Sequence, residues 1–247
     1  MAAKKAIAVV AGVGPGTGSS IARKFAQKYP VVVLARNPAN YTEVVDTINA
    51  AGGQAIGLST DVSDPSAVSS AFQKITTELF PGSPIAAAIF NSGGGFVRKP
   101  FLELTTEEFQ TGWESQVRGA FLFSQAVLPL LLKGVEEKSE HPPSLIFTGA
   151  TASVRGSALF SAFASAKFGL RALSQSLARE FGPKGVHVAH VIVDGVIDIA
   201  RTKGYVFEHE DAKISPDAIA DSYWFLHTQP RTTFAYELDL RPYVEKW

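Results

Sequence analysis

The chain has 247 residues, 46% of them hydrophobic and 19% charged, which is enough apolar material to bury one sizeable core. Lys plus Arg and Asp plus Glu both total 23, so no net field draws in phosphate backbones or anionic lipid, and nucleic acid and membranes are not expected partners. The absence of cysteine excludes disulfides, thiolate catalysis and cysteine-type zinc sites together, and fits a reducing, cytoplasmic setting.

In chain order, the first element is a short apolar run at residues 6–11. Lys4 and Lys5 before it give the look of a signal peptide, but the run breaks into glycines at once, so a buried strand fits better. Nowhere is an unbroken apolar stretch of bilayer-spanning length expected. The strand runs into Gly12-Val13-Gly14-Pro15-Gly16-Thr17-Gly18 and then into the helical "SSIARKFAQ". Glycines let backbone turn tightly and approach a pyrophosphate, whose charge is met by the helix N-terminus. A Gly-rich segment also serves ordinary turns, but its place between first strand and first helix points to a dinucleotide site at Gly12, Gly14, Gly16, Thr17 and Gly18. The second run, 31–35, ends in "ARNP". There Arg36 can pair with a 2′-phosphate while Ala35 offers no carboxylate to a ribose, so NADP(H) is expected over NAD(H).

Further runs at 55–58, 85–90, 145–148 and 186–193 alternate with helical patterns. That alternation predicts a Rossmann-type, doubly wound parallel sheet in three α/β/α layers, and no repeat or linker divides the chain, so one domain spans 1–247. Thr105-Thr106-Glu107-Glu108 has capping-box spacing and opens a helix that Pro129 is expected to kink near its end. Residues 160–181 carry Phe163, Ala166, Leu170, Leu173 and Leu177 at helical spacing, with Gly182-Pro183 as the stop. Phe163 and Lys167, four apart, share one face. His187 and His190 have opposite strand parity and His141, His209 and His227 are scattered, so no metal site is expected. The aromatic tail "TFAYELDLRPYVEKW" suits either a last strand on its own core or an arm on a neighbouring subunit.

The spacing Gly12-xxx-Gly16-x-Gly18, the pair Asp61-Val62, Asn91-Ser92-Gly93-Gly94 after the fourth strand and Lys167 on the long helix make the chain resemble the short-chain dehydrogenase/reductase family over nearly its full length. The resemblance implies seven parallel strands in the order 3-2-1-4-5-6-7, the last near "YELDLRP". It also implies adenine-side contacts at Asp61 and Val62 and further cofactor contacts at Asn91, Gly93 and Lys167. A small-molecule substrate is implied as well, with a homodimer or homotetramer built on the helices at 105–133 and 160–181.

The family's catalytic set is a Tyr and a Lys four apart, a Ser thirteen before the Tyr, and an Asn on the preceding long helix. Here those positions are Phe163, Lys167, Ala150 and Gln116, so the resemblance implies an atypical member in which only the lysine remains. A Tyr placed further from the Lys, as in some enoyl reductases, would fall on Phe160, and the usual Pro-Gly after the sixth strand is Asp194-Gly195. Neither Phe163 nor Ala150 can donate a proton or bind an oxyanion. A positioned acid contributes about 10²–10⁴ in rate, so ordinary ketone reduction is expected to be severely weakened.

Three readings follow. A relocated donor is the first, among Thr151, Ser153, Asp194 and Tyr205, each of which also suits a local turn or loop packing. The second is hydride addition to an iminium or activated enone, which needs no strong acid, with Phe163, Phe160 and Phe96 shaping an apolar pocket. In the third, the chain is a non-catalytic NADP(H)-binding sensor or partner subunit, and Lys167 serves only the nicotinamide ribose. The expectation carried forward is the second, an atypical NADP(H)-dependent reductase, with the third as its alternative.

Overall fold

The computed structural model describes residues 5–246. Lys4 and Trp247, which enter the readings of the two termini, lie outside those residues. Seven strands, β1 (Ile7–Ala11), β2 (Val31–Ala35), β3 (Ala55–Ser59), β4 (Ile85–Phe90), β5 (Ser144–Thr148), β6 (His187–Val193) and β7 (Glu237–Leu240), form one sheet in the order β3-β2-β1-β4-β5-β6-β7. Every neighbouring pair is parallel.

The strands β1, β2, β4 and β6 are buried at every residue, which is why they read as continuous apolar runs and not as alternating ones. Strand parity then divides the core. Ala8 and Val10 join Ile21 and Phe25 of α1 (Thr17–Ala26), Val44 of α2 (Thr42–Ala50) and Ile219 and Tyr223 of α7 (Pro216–His227). Ile7, Val9 and Ala11 face the other way, toward Phe72 of α3 (Pro65–Lys74), Phe123 and Val127 of α5 (Gly119–Glu136) and Leu170 of α6 (Ser161–Phe181). Three layers result, and burial of each large apolar side chain in them stabilises the fold by about 1.5–3 kcal/mol.

Helix α4 (Thr106–Trp113) starts with the expected capping box: the Glu108 N–H donates to Thr105 Oγ1 and the Thr105 N–H donates to the Glu108 carboxylate. A π-helical turn at Glu114–Arg118 joins α4 to α5. Pro129 lies inside α5, which continues to Glu136, so the interruption of α-helical geometry falls upstream of the expected kink. Polar residues such as Ser124, Gln125 and Lys133 interrupt Thr106–Glu136, yet by length and composition alone it is long and apolar enough to cross a bilayer. Its Phe123, Val127 and Leu131 are wholly buried against the sheet, as in a core helix.

His187 stacks on Phe234 at 4.2 Å between ring centroids, and His190 sits beside Glu237. Among the described residues no group of three His, Asp or Glu side chains is placed to hold a metal ion. Strand β7 packs on the chain's own sheet, and Arg171 of α6 grips Glu237 at 2.7 and 2.8 Å.

Candidate active site

The glycine turn lies where β1 meets α1. Gly12 has φ +81°, and a Cβ there would sit 2.5 Å from the Ser92 amide nitrogen, so turn and neighbouring loop can meet only without a side chain. At Gly18 a Cβ would lie 2.8 Å from the Gly12 carbonyl, which is how closely α1 presses on the turn. Helix α1 carries no side-chain cap and no acidic residue in its first turn. Ser19 N donates to the Gly14 carbonyl at 3.3 Å, which leaves the N–H groups ahead of it, of Thr17 and Gly18, to an anion.

A chain of hydrogen bonds joins this turn to the rest of the site. Asn91 Nδ2 donates to the Gly12 carbonyl at 3.0 Å, and Asn91 Oδ1 accepts from Thr148 Oγ1 at 2.9 Å. The Thr148 carbonyl accepts from Lys167 Nζ at 2.9 Å, and its hydroxyl meets the buried Tyr223 hydroxyl at 2.7 Å. Glycine turn, β4, β5 and α6 are thus tied by side chains that sit at strand ends, where parallel α/β sheets bind ligands. Lys167 is only 4% exposed and has no carboxylate partner, so burial pushes its ammonium down to about 8.

These groups open on a cleft of about 550 Å³. It is lined by Gly12, Gly14, Gly16, Thr17 and Gly18 of the turn and by Asn91, Gly93, Thr148, Ala150, Phe163 and Lys167. Phe96 meets Phe163 edge-on at 5.1 Å and Phe160 at 5.8 Å, making an aromatic wall. Lys167 Nζ stands 5.8 Å from the Phe163 ring centroid. A second cleft of about 450 Å³ shares Gly12, Ser92 and Gly93 with the first and reaches Arg36, Asp61 and Val62. Arg36 forms no ion pair among the described residues, while Asp61 is occupied by the Ser63 amide and hydroxyl at 2.9 and 2.7 Å. Two connected clefts, one with an uncapped helix start and one with an unpaired arginine, fit a dinucleotide.

Residues 6–210 match the family described as short chain dehydrogenase. The chain belongs to that family. An uncharacterized oxidoreductase of Staphylococcus epidermidis is 28% identical over 240 residues, covering 97% of this chain and 98% of that protein. The crystal structure of a short-chain dehydrogenase from Rhodopseudomonas palustris is 35% identical, with a TM-score of 0.76 over 96% of this chain and 99% of that one. A short chain dehydrogenase from Burkholderia cenocepacia, crystallised with NADP, is 25% identical, with a TM-score of 0.80 over 96% of each chain. Family membership makes the protein an NAD(P)-dependent oxidoreductase.

In this short-chain dehydrogenase the residues singled out in the sequence divide into those that reach the cleft and those that do not. Ala150 presents a methyl group to the cleft, and its N–H donates to Ser153 Oγ at 3.1 Å. Ser153 itself is wholly buried and absent from the cleft wall, because its hydroxyl closes that short turn. Thr151 is on the wall, but its hydroxyl donates to Asp194 Oδ1. Asp194 lies behind the wall, 5% exposed, held by Arg241 at 3.1 Å. Tyr205 is 58% exposed and lines a separate surface hollow with Phe207 and His209, because the segment after β6 carries it outward. Of the four candidate relocated donors, only Thr151 therefore borders the cleft.

Gln116 falls in the π-helical turn and is buried; its Nε2 donates to the Gly94 carbonyl at 3.0 Å, while its Oε1 has no partner within the protein. It anchors the loop after β4 and does not line the cleft. Sequence reasoning missed Arg155 and Ser157, which border the cleft from an irregular segment, and Arg201, which borders it from the short 3-10 turn Ala200–Thr202. Hydrophobic periodicity carries no information there. The one available signal was Arg155's place four residues after Thr151, just past β5.

Proposed function

We propose that the protein is an NADP(H)-dependent reductase of an activated enone. The observation that carries this reading is the charge of the cleft wall: Arg155, Lys167 and Arg201 line it, with no Asp or Glu. Hydride addition to the β-carbon of an enone moves negative charge onto the carbonyl oxygen as a delocalised enolate, which water can protonate later. The positive field of that wall favours the anion as it develops, whichever group each cation itself holds. The same cations disfavour an iminium, which enters already positive.

The protein residues are suited to that task and poorly suited to reducing a ketone. Phe163 and Ala150, at the positions of the family's Tyr and Ser, offer neither a proton nor an oxyanion contact. Thr151 commits its proton to Asp194 and so turns lone pairs, not an acid, to the cleft. The packed rings of Phe96, Phe160 and Phe163 would give the reacting carbon an apolar neighbour and no proton donor.

When bound, NADPH supplies the hydride. The glycine turn and the start of α1 would hold its pyrophosphate, Arg36 its 2′-phosphate, Asp61 and Val62 its adenine, and Asn91, Gly93 and Lys167 its nicotinamide ribose. Exposed Phe109, Trp113 and Phe121 on α4 and α5, with Phe168 on α6, support a homodimer or homotetramer formed through those helices. One dinucleotide-binding domain over 1–247, in a cytoplasmic setting, completes the reading.

NADPH deuterated at nicotinamide C4 should deliver label to an enone, and at least about 100-fold more slowly to a matched ketone or a cyclic iminium. Efficient ketone reduction would overturn the proposal and make Thr151 a relocated donor. Label transfer to nothing, with NADPH bound tightly, would favour a cofactor-binding sensor or partner subunit. Arg36→Ala should raise the Kd for NADPH by at least about tenfold and leave that for NADH unchanged, since a charge-assisted contact contributes about 1.5–3 kcal/mol.

A further inference from the structure

The protein's net charge is zero, yet its main cleft is bordered by three cations and no acid. Four of its other arginines are ion-paired, Arg23 with Asp217 at 3.3 Å, Arg118 with Glu114 at 2.9 Å, Arg171 with Glu237 at 2.7 Å and Arg241 with Asp239 at 2.7 Å, while Arg36, Arg98, Arg179 and Arg231 form no ion pair among the described residues. Arg155 and Arg201 form no ion pair among the described residues. Their fork-shaped donors are left to something that enters the cleft.

The two arginines sit on different loops. Arg201 comes two residues after Ile199, whose Cγ2 lies 2.7 Å from where a Cβ on Gly16 would be, so its loop meets the glycine turn and the phosphates that would be held there. Arg155 comes between Ala150 and Phe160 in the chain, on the loop that leads into the aromatic wall. Its turn is fixed: the Thr151 carbonyl accepts from both Val154 N at 3.1 Å and Arg155 N at 3.0 Å. The far end of the same loop is tied where Lys99 N donates to the Leu159 carbonyl at 2.9 Å. A held backbone thus carries an arginine without an ion pair that lines the same cleft as Phe96, Phe160 and Phe163.

We infer that Arg155 binds a carboxylate of the substrate, so that the electrophile is an apolar or aromatic enone bearing an acid group. A single guanidinium fork matches one planar carboxylate, and the rings of Phe96, Phe160 and Phe163 match the apolar remainder. The enone in this statement rests on the proposed function; the carboxylate does not.

Binding separates the two. With the protein saturated in NADP⁺, 3-benzoylpropionate and its methyl ester are titrated calorimetrically; neither can accept hydride from the oxidised cofactor. The acid should bind at least about tenfold more tightly than the ester. Arg155→Gln should bring the ratio to about one without changing NADP⁺ affinity, Arg155→Lys should keep part of it, and Arg201→Gln should leave it intact. Equal binding of acid and ester by the unmodified protein would overturn the inference. So would a ratio that survives Arg155→Gln, or one lost in Arg201→Gln alone. A protein that prefers the acid yet reduces no enone would refute the reaction and leave Arg155's role standing.

Discussion

Replacing Lys167 with methionine should make the cofactor-free protein more stable, although it removes a cofactor-binding group. The lysine's ammonium is 4% exposed, without a carboxylate beside it, and burial lowers its pKa from 10.5 to about 8. At about 1.4 kcal/mol per pH unit, that displacement amounts to ~3 kcal/mol of destabilisation at pH 7. The lost hydrogen bond to the Thr148 carbonyl, with that acceptor left unpaired, returns about 1–2 kcal/mol. The net gain for Lys167→Met is then about 1–2 kcal/mol, or roughly 2–8 °C in Tm for a chain of this size. The pH dependence fixes the sign. Between about 8 and 10.5 the unfolded chain keeps the proton that the folded protein has lost, so the unmodified protein gains stability as pH rises through that window. The methionine variant lacks that rise, and the difference between the two should be full below pH 8 and largely gone above pH 10.5. Urea unfolding of both proteins at pH 7, 9 and 10.5 measures it. A variant less stable than its parent at pH 7, with parallel pH profiles, would refute the reasoning.

Gly12→Ala combines a φ of +81° with a Cβ 2.5 Å from backbone, and should cost at least about 2 kcal/mol; thermal unfolding checks this, and an unchanged Tm contradicts it. Phe163→Tyr alone should give a poor ketone reductase, and its pairing with Ala150→Ser should exceed either single change in kcat/KM. Equality of the single Phe163→Tyr variant with the pair would remove any role for position 150. Arg241→Leu strips the cation from the nearly buried Asp194 and should lower the urea midpoint of the protein. An unchanged midpoint would show that water already meets that carboxylate.

Strands β1, β2, β4 and β6 were legible to within about one residue because each is buried on both faces, and a run such as Val31–Ala35 admits no other reading. Their order was not in the pattern; it came from the family resemblance that the glycine spacing carries. The glycines themselves were legible because close backbone approach excludes every side chain at Gly12. The catalytic end of the site was less so. That Thr151 points to Asp194, and Asp194 to Arg241, depends on residues 43 and 47 apart meeting across the sheet, and no local periodicity records such a meeting. Tyr205 shows the same limit, since a loop's direction is set by what it packs on. The π-helical turn at Glu114–Arg118 was also invisible, because its residues are helix formers in either register.

The tie from Thr151 through Asp194 to Arg241 has a consequence for the order of assembly. Asp194 N donates to the Leu240 carbonyl at 2.8 Å, so the wall of the cleft is secured only once β7 has docked at the edge of the sheet. A chain leaving the ribosome at about 5–20 residues per second exposes its glycine turn roughly 10–45 s before residue 241 appears. Only after Lys167 has emerged, roughly 4–15 s before residue 241, does a nascent chain carry every residue proposed to hold the nucleotide with no finished chamber beside them. Docking of β7 at the sheet edge is then what closes the wall.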